Sequence, residues 1–258
     1  MTAIPPSLSS WSKQPENRCA PDEIPAYWER HDVITFLADI GMYAEARYHS
    51  LDAAEKEQHR QFKSEYFKKR FTVSRSLLRQ ILNYIPGAEK NADIVMGREK
   101  NGRIGITGRP DIFISVSYSG SCIALTVGKR KIGSDIEIVH QRESRKIRNN
   151  PLFDSLANGN GKGQDHNFVH AWTLLEAYAK FHDMSLYPLT PDRFFFPDTH
   201  FVSYCIDRHA VFSLAYGGTP LQDALLWIDP GCGLASGSGE NPTNGSSPLL
   251  KGDSYVRT

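Results

Sequence analysis

Between Ile112 and Val139 the chain runs through three consecutive β-branched segments, Ile112–Tyr118, Ser121–Val127 and Lys131–Val139, divided by Ser119-Gly120 and Gly128-Lys129. Alternating apolar residues interrupted by two tight-turn pairs predict an antiparallel meander. Such a sheet has an apolar face that must be covered, and the preceding segment offers the cover. From Leu51 to about Tyr84 the pattern is helical in two pieces. The first is short and charged, with Ser50 or Asp52 as its cap. The second carries Phe67, Phe71, Ser74, Leu77, Leu78, Ile81 and Leu82 at three- and four-residue spacing, one apolar stripe that stops near Pro86-Gly87.

The same order then recurs. Residues 142–165 are polar and predict a loop or weak helix; Phe168–His182 predicts a helix; Phe201–Ile206 and Ala210–Tyr216 predict a hairpin around Asp207-Arg208-His209. The segment VSYCIDRHAVFSLAYG echoes ISVSYSGSCIALTVG in pattern. The expected fold is therefore α+β: two pseudo-duplicated halves, each a long helix packed on a small antiparallel sheet, with a ligand cleft between them. The expected divisions are an irregular Pro/Ser-rich arm over 1–25, an N-terminal half over 26–130, a C-terminal half over 131–230 and a disordered tail over 231–258. The tail holds six Gly, five Ser and two Pro in its 28 residues, too little apolar content to offset the entropy of ordering it.

Charge limits the partners. With 30 Lys and Arg against 29 Asp and Glu the formal charge of the 258 residues is +1, so a polyanion would have to be met by a local patch. Four dispersed cysteines, Cys19, Cys122, Cys205 and Cys232, form no C-x-x-C pair and predict reduced thiols. No apolar run approaches the roughly 20 residues of a membrane span or the core of a signal peptide. A cytoplasmic protein without membrane contact is the expectation.

Three local signals bear on chemistry. In Ile132-Gly133-Ser134-Asp135-Ile136-Glu137-Ile138, strand periodicity puts Asp135 and Glu137 on one face and Ile136 and Ile138 on the other. Paired carboxylates suit a hard divalent ion; an ordinary strand with a polar outer face has the same pattern. In the helix Trp172-Thr173-Leu174-Leu175-Glu176-Ala177-Tyr178-Ala179-Lys180, Glu176 and Lys180 share a face, either as a proton acceptor with a phosphate-neutralising cation or as a routine surface pair. Third, Lys56, Arg60, Lys63, Lys68, Lys69, Arg70, Arg75 and Arg79 face only Glu57 and Glu65 between Lys56 and Leu82. That excess would hold a polyphosphate or nucleic-acid backbone, or would simply be solvated. Arg109 in Gly108-Arg109-Pro110, and the hydroxyls of Ser117-Tyr118-Ser119-Gly120, could add phosphate contacts.

In this order the motifs resemble those of the surfactin-synthetase-type 4′-phosphopantetheinyl transferases. That family carries a G-x-D-x-E strand, matched by Gly133–Glu137, and further on a W-[ST]-x-K-E-x-x-x-K helix, matched by Trp172–Lys180. Upstream come a basic helix, a G-[KR]-P turn and a strand ending S-x-S-H-S-G. Here those are Lys68-Lys69-Arg70-Phe71 with Arg75, Gly108-Arg109-Pro110, and Ser115-Val116-Ser117-Tyr118-Ser119-Gly120. The resemblance spans about residues 50–220.

The resemblance implies an enzyme that moves the phosphopantetheine arm of coenzyme A onto a serine of an acyl or peptidyl carrier protein, releasing adenosine 3′,5′-bisphosphate. It implies Mg²⁺, or Mn²⁺, on Asp135, Glu137 and Glu176. Glu176 would also take the serine proton, and Lys180 would stabilise the leaving phosphate. Coenzyme A would be bound by Arg70, Arg75, Arg109, Ser117 and Tyr118, so the N-terminal half becomes the nucleotide side and the C-terminal half the metal side. A monomer without nucleic-acid contact is expected. Two positions depart from the family: Tyr118 stands where its motif has His, and Leu175 where it has Lys. Neither brings positive charge at neutral pH. The resemblance therefore leaves open a relative with weakened or no catalysis that binds coenzyme A or a carrier protein.

Overall fold

The run Val33–Asp39, written VITFLAD, is buried along nearly its whole length, as a strand packed on both faces must be. In the computed structural model, which describes residues 18–43, 48–86, 94–98, 102–139, 164–186, 199–206 and 210–228, it is the second strand of the chain. The order begins β1 (Arg18–Cys19), α1 (Ile24–Arg30), β2 (Val33–Asp39), α2 (Ala53–Gln61), α3 (Glu65–Tyr84), β3 (Met96–Arg98) and β4 (Ile104–Ile106). It continues β5 (Phe113–Ser119), β6 (Cys122–Gly128), β7 (Ile132–Ile138), α4 (Gln164–His182), β8 (Thr199–Ile206), β9 (Ala210–Gly217) and β10 (Asp223–Ile228). The fold is mixed, in the α+β class.

The larger sheet has the order β1-β10-β2-β6-β5, the smaller β7-β9-β8, and β3-β4 is a separate hairpin. The smaller sheet is antiparallel, as expected. The larger one is not: β1, β10 and β2 run parallel, and only β2, β6 and β5 alternate in direction. The last strand, which lies in the 131–230 span but was not foreseen as a strand, pairs with β2, Asp223 facing Val33 and Trp227 facing Leu37. Its partner is set by tertiary packing, which the local pattern of residues 223–228 does not carry.

Helix α3 lays Val73, Leu77, Leu78, Ile81 and Leu82 on Ile34, Phe36, Ala38, Ile114, Ile123 and Leu125 of the larger sheet. On the other face Val33, Leu37 and Ala124 meet Ile132, Ile136, Phe212 and Leu214 of the smaller sheet. A row of hydroxyls crosses this apolar layer. Thr35 and Thr126 are 3.1 Å apart, Thr126 and Ser134 2.8 Å, and Ser115 Oγ accepts the Ser134 N–H at 2.9 Å. Each buried hydroxyl is thus answered by its neighbour.

Asp52 caps α2 as predicted: its carboxylate accepts the Glu55 N–H at 2.8 Å while Glu55 accepts the Asp52 N–H at 3.1 Å. The irregular arm expected over 1–25 is corrected at its end. Arg18–Cys19 is a strand, and α1 begins at Ile24 because Ile24 and Trp28, one turn apart, are buried. The loop or weak helix expected over 142–165 falls, apart from the first two residues of α4, outside the described residues, as do the turn at 207–209 and the tail over 231–258. Cys19, Cys122 and Cys205 are thiols, not half-cystines. Among the described residues no helix is long and apolar enough to cross a membrane.

Candidate active site

The G-x-D-x-E strand and the long helix are held together by a missing side chain. A Cβ on Gly133 of β7 would overlap the carbonyl oxygen of Ala177 and the amide nitrogen of Phe181, so only glycine lets the α4 backbone rest on β7. On β9 the facing residues are also small, Ala215 opposite Gly133 and Ser213 opposite Asp135. Sequence periodicity placed Asp135 on the face of Gly133, and that face is turned to the helix.

Asp135 is only 5% exposed. Lys180 Nζ donates to Asp135 Oδ1 at 2.7 Å and to the Ser134 carbonyl oxygen at 3.1 Å. Asp135 Oδ2 is buried with no hydrogen-bond partner. Burial raises the Asp135 carboxyl pKa, with Lys180 and the Ile136 N–H acting against it. Glu176 is raised too, first by burial and then by the Asp135 charge, with Lys180 opposing. Lys180 thus pairs with Asp135 and also tempers the charge on Glu176.

Glu137 has its Oε2 hydrogen-bonded by Ser119 Oγ at 2.6 Å, and the same hydroxyl accepts the Ile138 N–H at 2.9 Å. Among the described residues no group of three or more His, Cys, Asp or Glu is gathered as a ligand set. The donor chemistry nevertheless suits a hard cation: an orphaned carboxylate oxygen on Asp135 lies in the field of Glu176.

Beside Lys180 opens a cavity of about 310 Å³. Phe71 and Arg75 of α3, Ser115, Val116 and Tyr118 of β5, and Ala179 and Lys180 of α4 all line it. Residues about a hundred positions apart therefore meet on one surface. The wall also holds Arg98 and Arg103, from the β3-β4 hairpin, and one carboxylate, Asp183. That carboxylate is already engaged by Arg103 at 2.9 Å and Lys131 at 2.6 Å. Arg75 is buried, its Nε has no hydrogen-bond partner, and the nearest carboxylate oxygen, on Glu55, is 3.5 Å away. Burial depresses its pKa, and the Arg98 charge presses in the same direction. Like charges brought around one cavity are arranged for an anion.

Sequence reasoning missed Arg98 and Arg103. The signal was present, because Gly-Arg occurs three times, as Gly97-Arg98, Gly102-Arg103 and Gly108-Arg109, the last two glycines with positive φ. The copy followed by proline is the one that does not line this cavity. Arg109 lines a separate cavity of about 240 Å³ and is bonded twice to Asp111 at 2.9 Å. Arg103 donates to the Ile132 carbonyl at 2.8 Å and the Lys180 carbonyl at 2.6 Å, tying the hairpin to both β7 and the end of α4.

Ser117 is likewise away from the cavity lining; it is buried on the β5 face that carries Ser115 and Ser119, and its Oγ has no hydrogen-bond partner. Arg70 sits 4.5 Å from the centre of the Tyr118 ring and 4.7 Å from that of Phe67. Tyr118 donates to Ser74 Oγ at 2.9 Å. Arg70 thus holds its guanidinium against the Tyr118 ring. Leu175 is fully buried among Val169, Ala171, Tyr178 and Val211, so its place is the core under α4. Much of the helical basic charge is answered locally: Arg60 by Glu57, Lys68 by Glu65, and Arg75 and Arg79 by Glu55, with Asp52 also on Arg79.

No protein-family model matches the chain, and no curated protein matches it.

Proposed function

We propose that the chain is a 4′-phosphopantetheinyl transferase, taking coenzyme A and a serine of an acyl or peptidyl carrier protein as substrates. One observation carries the reading: the cavity brings Arg75, Tyr118 and Lys180, from three separate motifs, onto one cationic surface beside buried Asp135. The two helix-and-sheet units on either side of it would be related halves, and the cavity their ligand cleft. Neutralisation of the basic helix by its own carboxylates favours a nucleotide-sized anion over a nucleic-acid backbone.

In the transfer, the carrier serine oxygen forms a bond to the phosphorus next to the pantetheine. The bond from that phosphorus to the bridging pyrophosphate oxygen breaks, and adenosine 3′,5′-bisphosphate leaves. Glu176 takes the serine proton, a task suited to a carboxyl raised above its ordinary range. Arg75, Arg98 and Arg70 hold the phosphates of the nucleotide end, and Lys180 faces the charge that grows on the leaving group. A Mg²⁺ or Mn²⁺ ion on Asp135, Glu137 and Glu176 would supply neutralisation of the pyrophosphate. The protein would act as a monomer in the cytoplasm.

A second reading, a binder of coenzyme A or a carrier without catalysis, is favoured by Tyr118 at the histidine position. Intact-mass spectrometry separates the two. Apo carriers of fatty-acid and peptide-synthetase type are incubated with the protein, coenzyme A and Mg²⁺. The expected result is a gain of one phosphopantetheine arm that vanishes with Glu176→Ala. Coenzyme A binding without transfer to any carrier would overturn the enzyme and favour the binder.

A further inference from the structure

We propose that Asp183 is a positioning residue for the cationic cavity: it sets Arg103, and through Arg103 holds the β3-β4 hairpin and its Arg98 in place to receive the phosphates of a nucleotide. This rests on reading the cavity as the phosphate end of the coenzyme A site. Among the described residues Asp183 is the one non-glycine with positive φ, 55°. It closes α4 in a left-handed cap. The Met184 N–H donates to the Ala179 carbonyl at 2.9 Å, and the Asp183 N–H to the Lys180 carbonyl at 3.4 Å. Glycine takes that conformation without strain, so an aspartate there points to a use for its carboxylate.

Asp183 Oδ1 accepts Arg103 Nε at 3.1 Å and Nη2 at 2.9 Å, and Oδ2 lies 2.6 Å from Lys131 Nζ. The same guanidinium donates to the Lys180 and Ile132 carbonyls, so one planar group joins the hairpin to α4 and β7. Of these acceptors Asp183 alone is charged. Burial would raise its carboxyl pKa, but hydrogen bonds from Lys131 and Arg103 outweigh burial and hold it below the ordinary value. Arg98 faces Ile104 across the hairpin and donates to the Gly102 carbonyl at 3.2 Å, so its place is set by the strand pair that Arg103 ties down. The other end of the hairpin is fixed separately, by Met96 in the core and Arg79 on the Ile94 carbonyl.

Positioning has a sign that the alternatives do not share. A carboxylate on the wall of an anion site repels the ligand, so removing its charge alone tightens binding. Glycine at the cap, by itself, relieves the backbone. Loss of the brace does the opposite, because the turn end of the hairpin and Arg98 must then be ordered on binding.

Coenzyme A is titrated by calorimetry into wild type, Asp183→Gly, Asp183→Asn, Arg103→Ala and the variant combining Asp183→Gly with Arg103→Ala, each first checked for a cooperative thermal transition. Asp183→Gly is expected to bind about tenfold more weakly than wild type. Asp183→Asn tolerates the left-handed backbone and keeps an acceptor for Arg103 without the charge, so it should fall between the two, about threefold weaker than wild type. It carries the test if the glycine variant does not fold. Arg103→Ala should match Asp183→Gly, and the combined variant should bind no more weakly than either, because both changes break one brace. Unchanged or tighter binding by the Asp183 variants, or losses that add in the combined variant, would overturn the positioning role and leave the cavity as the coenzyme A site. No binding of coenzyme A by wild type would overturn the positioning role together with the reading on which it rests.

Discussion

Gly133 of β7 and Ala177 of α4 occupy adjoining space that only a missing side chain leaves open. The obstruction to a Cβ at Gly133 is helix backbone, which cannot rotate away as a side chain can. Gly133→Ala is therefore expected to push α4 off β7, costing about 3 kcal/mol or somewhat more. The urea midpoint should fall, and the Asp135–Lys180 contact should be lost. An unchanged midpoint would mean that the helix and strand do not approach this closely.

His170 sets a pH dependence. It is buried against Ser203, its Nε2 3.0 Å from Ser203 Oγ, and burial lowers its pKa to about 4. An unfolded histidine titrates near 6.5, so between about 6.5 and 4 the unfolded chain binds the extra proton. Its contribution is complete above pH 6.5 and falls away as pH drops towards 4, by about 3 kcal/mol at the limit. Urea midpoints at pH 7.5 and 4.5 should differ more for wild type than for His170→Gln. Parallel pH profiles would contradict the assignment.

Arg98 stands at the cavity and Arg109 does not. For coenzyme A measured by calorimetry, Arg98→Ala should weaken binding about tenfold, the loss of one charge-assisted contact, with little change in stability. Arg109→Ala should leave the affinity nearly unchanged. The reverse ranking would move the nucleotide to the smaller cavity.

The buried carboxylate of Glu55 holds two arginines, Arg75 and Arg79, of the basic helix. Glu55→Ala leaves both without their main counter-charge and should cost about 3 to 5 kcal/mol. The thermal midpoint should fall sharply. Glu57→Ala, which breaks an exposed pair with Arg60, should change stability by less than about 1 kcal/mol.

Local features of this fold were readable because they are local. The break between α2 and α3, the Asp52 cap and the common face of Gly133, Asp135 and Glu137 follow from spacing and side-chain chemistry alone. The sheet order was not. Val33–Asp39 is an apolar run without alternation, and nothing in Asp223–Ile228 says that its neighbour is β2. The site divides in the same way. Asp135 and Lys180 were found from their motifs, but the choice among three Gly-Arg copies depended on where a hairpin folds back. Ser117 was assigned from its hydroxyl, while in the fold it is buried away from the cavity lining.

The parallel seam of β10 between β1 and β2 has a consequence for birth on the ribosome. Val33 must wait for Asp223, about 190 residues later, before the middle of its sheet is complete. At ordinary elongation rates that is roughly 10 to 40 seconds, during which one edge of β2 is open to any other strand. The nascent amino-terminal region therefore depends on delayed closure, and nascent-chain chaperones have a long window on this edge.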